Sequence, residues 1–115
     1  MRGLDRRGGA RLTLSAERLA PDDTLGKFVD RSEQSLRKLR YKYAASTHSG
    51  GAVLLDATTP DKKRAVRQAY LERNGIAYVL TLAAPVEAAP RYLHPFDDVL
   101  RSLSFSAPAV EETPR

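Results

Sequence analysis

Asn74-Gly75 lies between two β-compatible runs, Lys63 to Arg73 and Ile76 to Pro85, and it restricts this chain more than any other pair of residues. A two-residue type I′ turn needs positive φ at both central positions, and Asn followed by Gly adopts that at the lowest steric cost. Such a turn sets the register of the strands it joins. Arg73 then faces Ile76, Leu71 faces Tyr78, Ala69 faces Leu80 and Arg67 faces Leu82 on one side of the ribbon. Glu72 with Ala77, Tyr70 with Val79, Gln68 with Thr81 and Val66 with Ala83 make the other side. That second side is only partly polar, so the expectation is that it is covered, either by this chain or by a partner.

The remaining elements follow from shorter signals. Arg11 to Leu19 alternates, with Leu12, Leu14 and Ala16 on one face and Thr13, Ser15 and Glu17 on the other, which reads as a half-buried strand. Pro21-Asp22-Asp23-Thr24 starts a helix, because Asp and Thr side chains accept hydrogen bonds from the unpaired N–H groups of a first turn. From there Leu25, Phe28, Val29, Leu36, Leu39 and Tyr43 fall on one stripe, predicting an amphipathic helix that ends near Arg40. Arg37, Lys38 and Arg40 in its last turns suit the negative end of the helix dipole.

After Ser49-Gly50-Gly51 the run Ala52 to Thr58 reads as a short apolar strand, stopped by the turn Thr59-Pro60-Asp61-Lys62. Beyond Pro85, Glu87 to Leu93 reads as a loop or short helical turn. Pro95 suits the first position of a second amphipathic helix carrying Phe96, Val99, Leu100 and Leu103. Ser104-Phe105-Ser106 reads as a return to extended backbone. The resulting class is α+β, an antiparallel sheet flanked by two amphipathic helices. Residues 1–10 form a flexible lead-in, 11–106 a single domain and 107–115 a polar tail.

A chain of 115 residues has room for one core. Its 42% hydrophobic and 29% charged residues separate it from the apolar-poor composition of disordered chains. The apolar stretch from Ile76 to Pro85 is about half of the roughly 20 residues a membrane-crossing helix needs. The basic first residues lead into no apolar segment, so the expected location is the cytoplasm, or the cell envelope if a leader has been removed. The net charge of +5 gathers at Lys27, Arg31, Arg37, Lys38, Arg40 and Lys42, and again at Lys62, Lys63, Arg64 and Arg67. Both clusters read as solvated surface. Binding of nucleic acid through the basic helix is the alternative they leave open.

The sequence carries no recognisable chemical motif: the expectation is no catalytic residue, no cofactor and no metal. There is no cysteine, Gly50-Gly51 and Gly8-Gly9 lack the strand-loop-helix context of a phosphate loop, and no serine stands in a nucleophile elbow. His48 and His94 are too far apart in sequence to form a recognisable zinc motif. Asp97-Asp98 reads as helix-start stabilisation, since neighbouring residues on a helix point about 100° apart rather than toward one substrate. Asp56 reads as pointing to water from a strand. The tyrosines 41, 43, 70, 78 and 92 read as core residues rather than stacking platforms, because Tyr43 and Tyr78 fall on core-facing positions and no nucleic-acid motif accompanies them.

Several segments together resemble the PsbP-like fold, and within it the bacterial DcrB-related families that include the Eag-type chaperones of type VI secretion effectors. They are Leu12 to Ser15, the helix start Thr24-Leu25 with Phe28-Val29, Arg67 to Leu71, Ala77 to Pro85, and Phe96 to Phe105. The resemblance spans about Arg11 to Ser106, and it departs at the start, where family members carry a further strand or two. It implies a scaffold without chemistry: a non-catalytic protein-binding module, an adaptor or chaperone for a secreted effector, or alternatively a domain of a cell-envelope lipoprotein. The implied partner is another protein offering an apolar helical segment, with no small-molecule substrate and no membrane span. The residues expected to hold it are Val66, Gln68, Tyr70, Val79 and Thr81.

Overall fold

Asn74 (φ 52°) and Gly75 (φ 80°) both take left-handed backbone in the computed structural model, which describes residues 9–48 and 51–112. The strands they join, β4 (Arg64–Arg73) and β5 (Ile76–Pro85), pair antiparallel in the register expected from the turn, from Arg73 opposite Ile76 to Val66 opposite Ala83 and beyond. Around this hairpin stand β1 (Arg11–Arg18), β2 (Lys42–Thr47) and β3 (Val53–Thr58), giving a five-stranded antiparallel sheet in the order β1-β5-β4-β3-β2.

One helix lies on each face of the sheet. α1 (Leu25–Lys38) brings Val29, with Leu25, Phe28 and Leu36, onto Leu55, Tyr70 and Val79. α2 (Leu93–Glu112), entered through a single 3₁₀ turn at Ala89–Tyr92, brings Phe96 and Leu100 onto Ala52, Leu54, Ala69, Leu71, Leu80 and Leu82 of the opposite face. The three central strands are thus buried on both sides, which is why β3 and β5 read as nearly continuous apolar runs. Phe96 and Leu100 are fully buried, and burial of side chains this size contributes about 2 kcal/mol each.

α1 starts as the sequence indicates: the Thr24 hydroxyl accepts from the Lys27 N–H at 3.1 Å. It stops differently. The Tyr41 N–H donates to the Leu36 carbonyl and the Arg40 N–H to that of Arg37, both at 3.0 Å, while Arg40 sits at φ 64°. This is a Schellman stop with arginine where glycine is usual. The stop turns the chain straight into β2, so Tyr43 belongs to a strand rather than to the helix stripe, and there are five strands where four were expected. Leu39, also assigned to the stripe, is left 59% exposed.

Three further expectations change. Gly9 and Ala10, assigned to a flexible lead-in, are tied down, because the Gly9 carbonyl accepts from Arg64 Nη2 at 2.9 Å and Ala10 is buried. Ser104 to Ser106 are helical rather than extended, and the tail beginning at 107 is helical as far as Glu112. Helical backbone already established from Leu93 propagates at the cost of one residue at a time, and it continues past Pro108, which removes one of its hydrogen bonds. The remaining residues, 1–8, 49, 50 and 113–115, lie outside the described part of the chain.

Two stability measurements follow. Replacing Gly75 by Val places a β-branched side chain at φ 80°; no atom lies within 4 Å of the added Cβ, so the loss is conformational and is expected at about 1–2 kcal/mol in urea unfolding. Arg40→Gly should act in the opposite sense, raising stability by about 0.5–1 kcal/mol by removing the left-handed penalty at the helix stop.

Candidate functional site

The five residues singled out for partner binding share the α1 side of the sheet, but they do not share an environment. α1 begins beside the hairpin end, where Leu25 lines a cleft with Glu72 and Gly75. It finishes against β2, where the Tyr43 hydroxyl donates to Glu33 Oε1 at 3.2 Å and accepts from Arg37 Nη1. Tyr70 and Val79 lie under this oblique helix, at 1% and 8% exposure. Val66, Gln68 and Thr81 lie beyond it and remain half-buried. The face is therefore covered in part by the chain itself and left open in part.

A hydrogen-bonded chain links the covered and open halves. The Tyr70 hydroxyl donates to Gln68 Oε1 at 2.7 Å, and Gln68 Nε2 donates to Thr81 Oγ1 at 3.2 Å, from the directly opposed position on β5. Burial pushes the Tyr70 phenol above its ordinary pKa; a hydrogen bond with Ser32 of α1 works against that and the charge of Glu33 adds to it. Phe28 closes over Tyr70 edge-to-face at 5.9 Å, with the Arg31 guanidinium over the other ring. This strip holds amide and hydroxyl groups of no net charge. It can recognise N–H and C=O groups and apolar surface, and it has no carboxylate or imidazole with which to move a proton.

A cluster of titratable groups assembles on the opposite face, near the start of α2. His48, from the connection between β2 and β3, meets Asp97 through Nε2 at 2.6 Å, and the second Asp97 oxygen accepts from Arg101 at 2.9 Å. Asp56 and Arg67, directly opposed across β3 and β4, form a two-point ion pair at 2.8 and 3.2 Å, with the Arg67 guanidinium over the Phe96 ring. His94 lies 3.3 Å from Asp98 one turn along the helix. The His48 hydrogen bond, with Arg101 and Arg67 nearby, holds the Asp97 carboxyl below its usual range.

Sequence reasoning missed this cluster. Helix-start stabilisation cannot explain Asp97 and Asp98, because α2 begins at Leu93 and its first turn contains no acid. Asp56 is held by Arg67 rather than simply solvated. The Asp56–Arg67 pair was legible in principle, had the β3–β4 register been worked out. His48 and Asp97, by contrast, come together only through the fold. The arrangement fastens the β2–β3 connection to α2.

The charge reading of α1 also sharpens. Lys27 donates to the Asp22 carbonyl at 3.2 Å, Arg31 is tied to Asp23 at 2.8 and 3.2 Å, and Arg37 to Tyr43 and Glu33, so these three cations of α1 are engaged within the chain. No family model and no curated protein matches this sequence.

Asp97→Ala should cost about 1 kcal/mol at pH 7, the scale of one charge-assisted hydrogen bond at a partly exposed site. Because the folded-state pKa of Asp97 is depressed, its contribution is present above the unfolded value of about 3.9 and is lost as pH falls through the folded one. Urea unfolding of variant and wild type should thus differ at pH 7 and converge as the pH is lowered past the titration of the depressed carboxyl. A gap that persists undiminished there would show that the carboxylate is not the source.

Proposed function

We propose that this protein is a non-catalytic protein-binding module that seats an apolar helical segment of another protein on the open half of the α1-side sheet face. The observation that carries the reading is the strip of Val66, Gln68 and Thr81: half-buried, uncharged, hydrogen-bonded in place, and continuous with a core that Tyr70 and Val79 share with α1. A helix laid beside α1 would complete a layer that α1 alone leaves short, since 14 residues span only about 21 Å. Apolar side chains would cover Val66, and Gln68 and Thr81 would meet polar groups along the segment.

The resemblance to the PsbP-like fold and its DcrB-related members supports the same reading, since it implies a scaffold that holds proteins on its sheet. On that basis the protein serves as an adaptor or chaperone for a secreted effector, working in the cytoplasm before export. Among the described residues, no helix is long and apolar enough to cross a membrane.

The test combines capture with a directed variant. Full-length tagged protein, purified from its source cells at moderate salt, should retain a stoichiometric partner whose apolar helical segment, as a synthetic peptide, binds in calorimetry. Thr81→Lys, at a half-buried position holding one side-chain hydrogen bond, should weaken that peptide by about tenfold or more while lowering the melting temperature by only a few degrees. Equal binding by the variant would move the site off this face, and absence of any helical partner would remove the reading.

A further inference from the structure

β1 forms one edge of the sheet, and among the described residues no strand pairs with its outer side. Edge strands are ordinarily blunted by proline, lysine, a bulge or a short length, because an open row of N–H and C=O groups recruits another strand. β1 carries little of this: its sequence RLTLSAER contains no proline or lysine, it pairs with β5 without interruption over eight residues, and its charges, Arg11, Glu17 and Arg18, stand only at its two ends. Every residue in it except Leu12 is exposed, and Leu14, at its centre, is an apolar side chain left 49% exposed.

The hydrogen-bonding direction is set by β5. The Leu19 N–H donates to the Gly75 carbonyl at 2.8 Å in continuation of the β1–β5 ladder, so the odd-numbered residues of β1 turn their N–H and C=O groups toward β5. Leu12, Leu14, Ala16 and Arg18 therefore present theirs outward. The side chains divide as cleanly. Leu12, Leu14 and Ala16 stand opposite Leu82, Leu80 and Tyr78 on the α2 side, while Arg11, Thr13, Ser15 and Glu17 stand on the α1 side.

We propose that β1 is a self-association edge, which pairs antiparallel with β1 of a second copy about a two-fold axis passing through Leu14. A two-fold normal to the sheet keeps each face on its own side, so even residues must oppose even and odd oppose odd. Centred on Leu14, this places Leu14 against the second copy's Leu14, Leu12 against Ala16, Thr13 against Ser15, and Arg11 against Glu17 at both ends. Apolar residues meet apolar residues on one face, and hydroxyls and opposite charges meet on the other. The outward N–H and C=O groups of Leu12, Leu14 and Ala16 all find partners. Moving the axis to Thr13 or to Ser15 leaves Arg11 and Glu17 without an opposed charge, while Arg18, opposite Ala10 in the Leu14 register, is matched in none of the three; the Arg11–Glu17 pairs therefore select the Leu14 register.

The joined sheets would form one continuous sheet with both α1 helices on one face and both α2 helices on the other. One strand pair buries little area, which places the dimer at the weak end of specific association, with a dissociation constant of about 10–100 μM.

Sedimentation of the full chain from about 5 to about 500 μM, a range bracketing that constant, should show the monomer–dimer transition. Leu14→Pro removes an outward N–H that the monomer does not use, so it should stay monomeric throughout while unfolding at a temperature close to that of the monomeric wild type. Arg11→Glu and Glu17→Arg, each juxtaposing like charges twice, should weaken the dimer by about tenfold, and the two together should return it to within about threefold of wild type. A wild type that is monomeric at 500 μM, a dimer that survives Leu14→Pro, or a double charge reversal that fails to recover association would overturn the proposal.

Discussion

A strand shifted by one residue turns every side chain to the opposite face, so the two-residue turn at Asn74 and Gly75 governs far more than its own loop. It sets Tyr70, Gln68 and Val66 beside Val79, Thr81 and Ala83 on one face, and Leu71 and Ala69 beside Tyr78 and Leu80 on the other. Each set then meets its own helix. Val29 and Phe28 close over the first, Phe96 and Leu100 over the second. With the central strands covered from both sides, the β4–β5 ribbon is the layer on which both cores are built.

The two faces are finished differently, and the difference separates recognition from fastening. On the α1 side the helix runs obliquely from the hairpin toward β2, leaving a strip of neutral hydrogen-bonding side chains half open. On the α2 side the apolar core is ringed by charge, with Asp56 held by Arg67 and Asp97 held by His48 and Arg101. Those pairs tie β3, β4 and the β2–β3 connection to the start of α2. Asp56, Asp97 and their partners are thus engaged in structure, and the open strip of Val66, Gln68 and Thr81 carries no ionisable group.

Much of the architecture was legible because it rests on local rules. The hairpin register follows from two residues, the start of α1 from the Thr24 cap, and the two helix stripes from the spacing of Phe28 and Val29 and of Phe96 and Leu100. β2 was missed because its signal is disguised: Arg40 occupies the left-handed stop that a glycine would have announced, and the strand itself is exposed at every position but Tyr43. The length of α2 was missed because Ser104-Phe105-Ser106 fits extended and helical backbone equally well. Of the candidate site, the face shared by Val66, Gln68, Tyr70, Val79 and Thr81 was readable from alternation alone.

Alternation along each strand and the helical spacing of the apolar residues therefore decided, from the sequence by itself, which side chains travel together. They could not decide what lies over them. That α1 shields Tyr70 and Val79 but stops short of Val66, Gln68 and Thr81 depends on the angle at which a helix crosses a twisted sheet, which arises from the contacts of many residues at once. That His48 reaches Asp97 depends on a loop and a helix start meeting across the edge of a core, 49 residues apart. Local propensity carries no information at that separation, so only the folded chain could bring the two together.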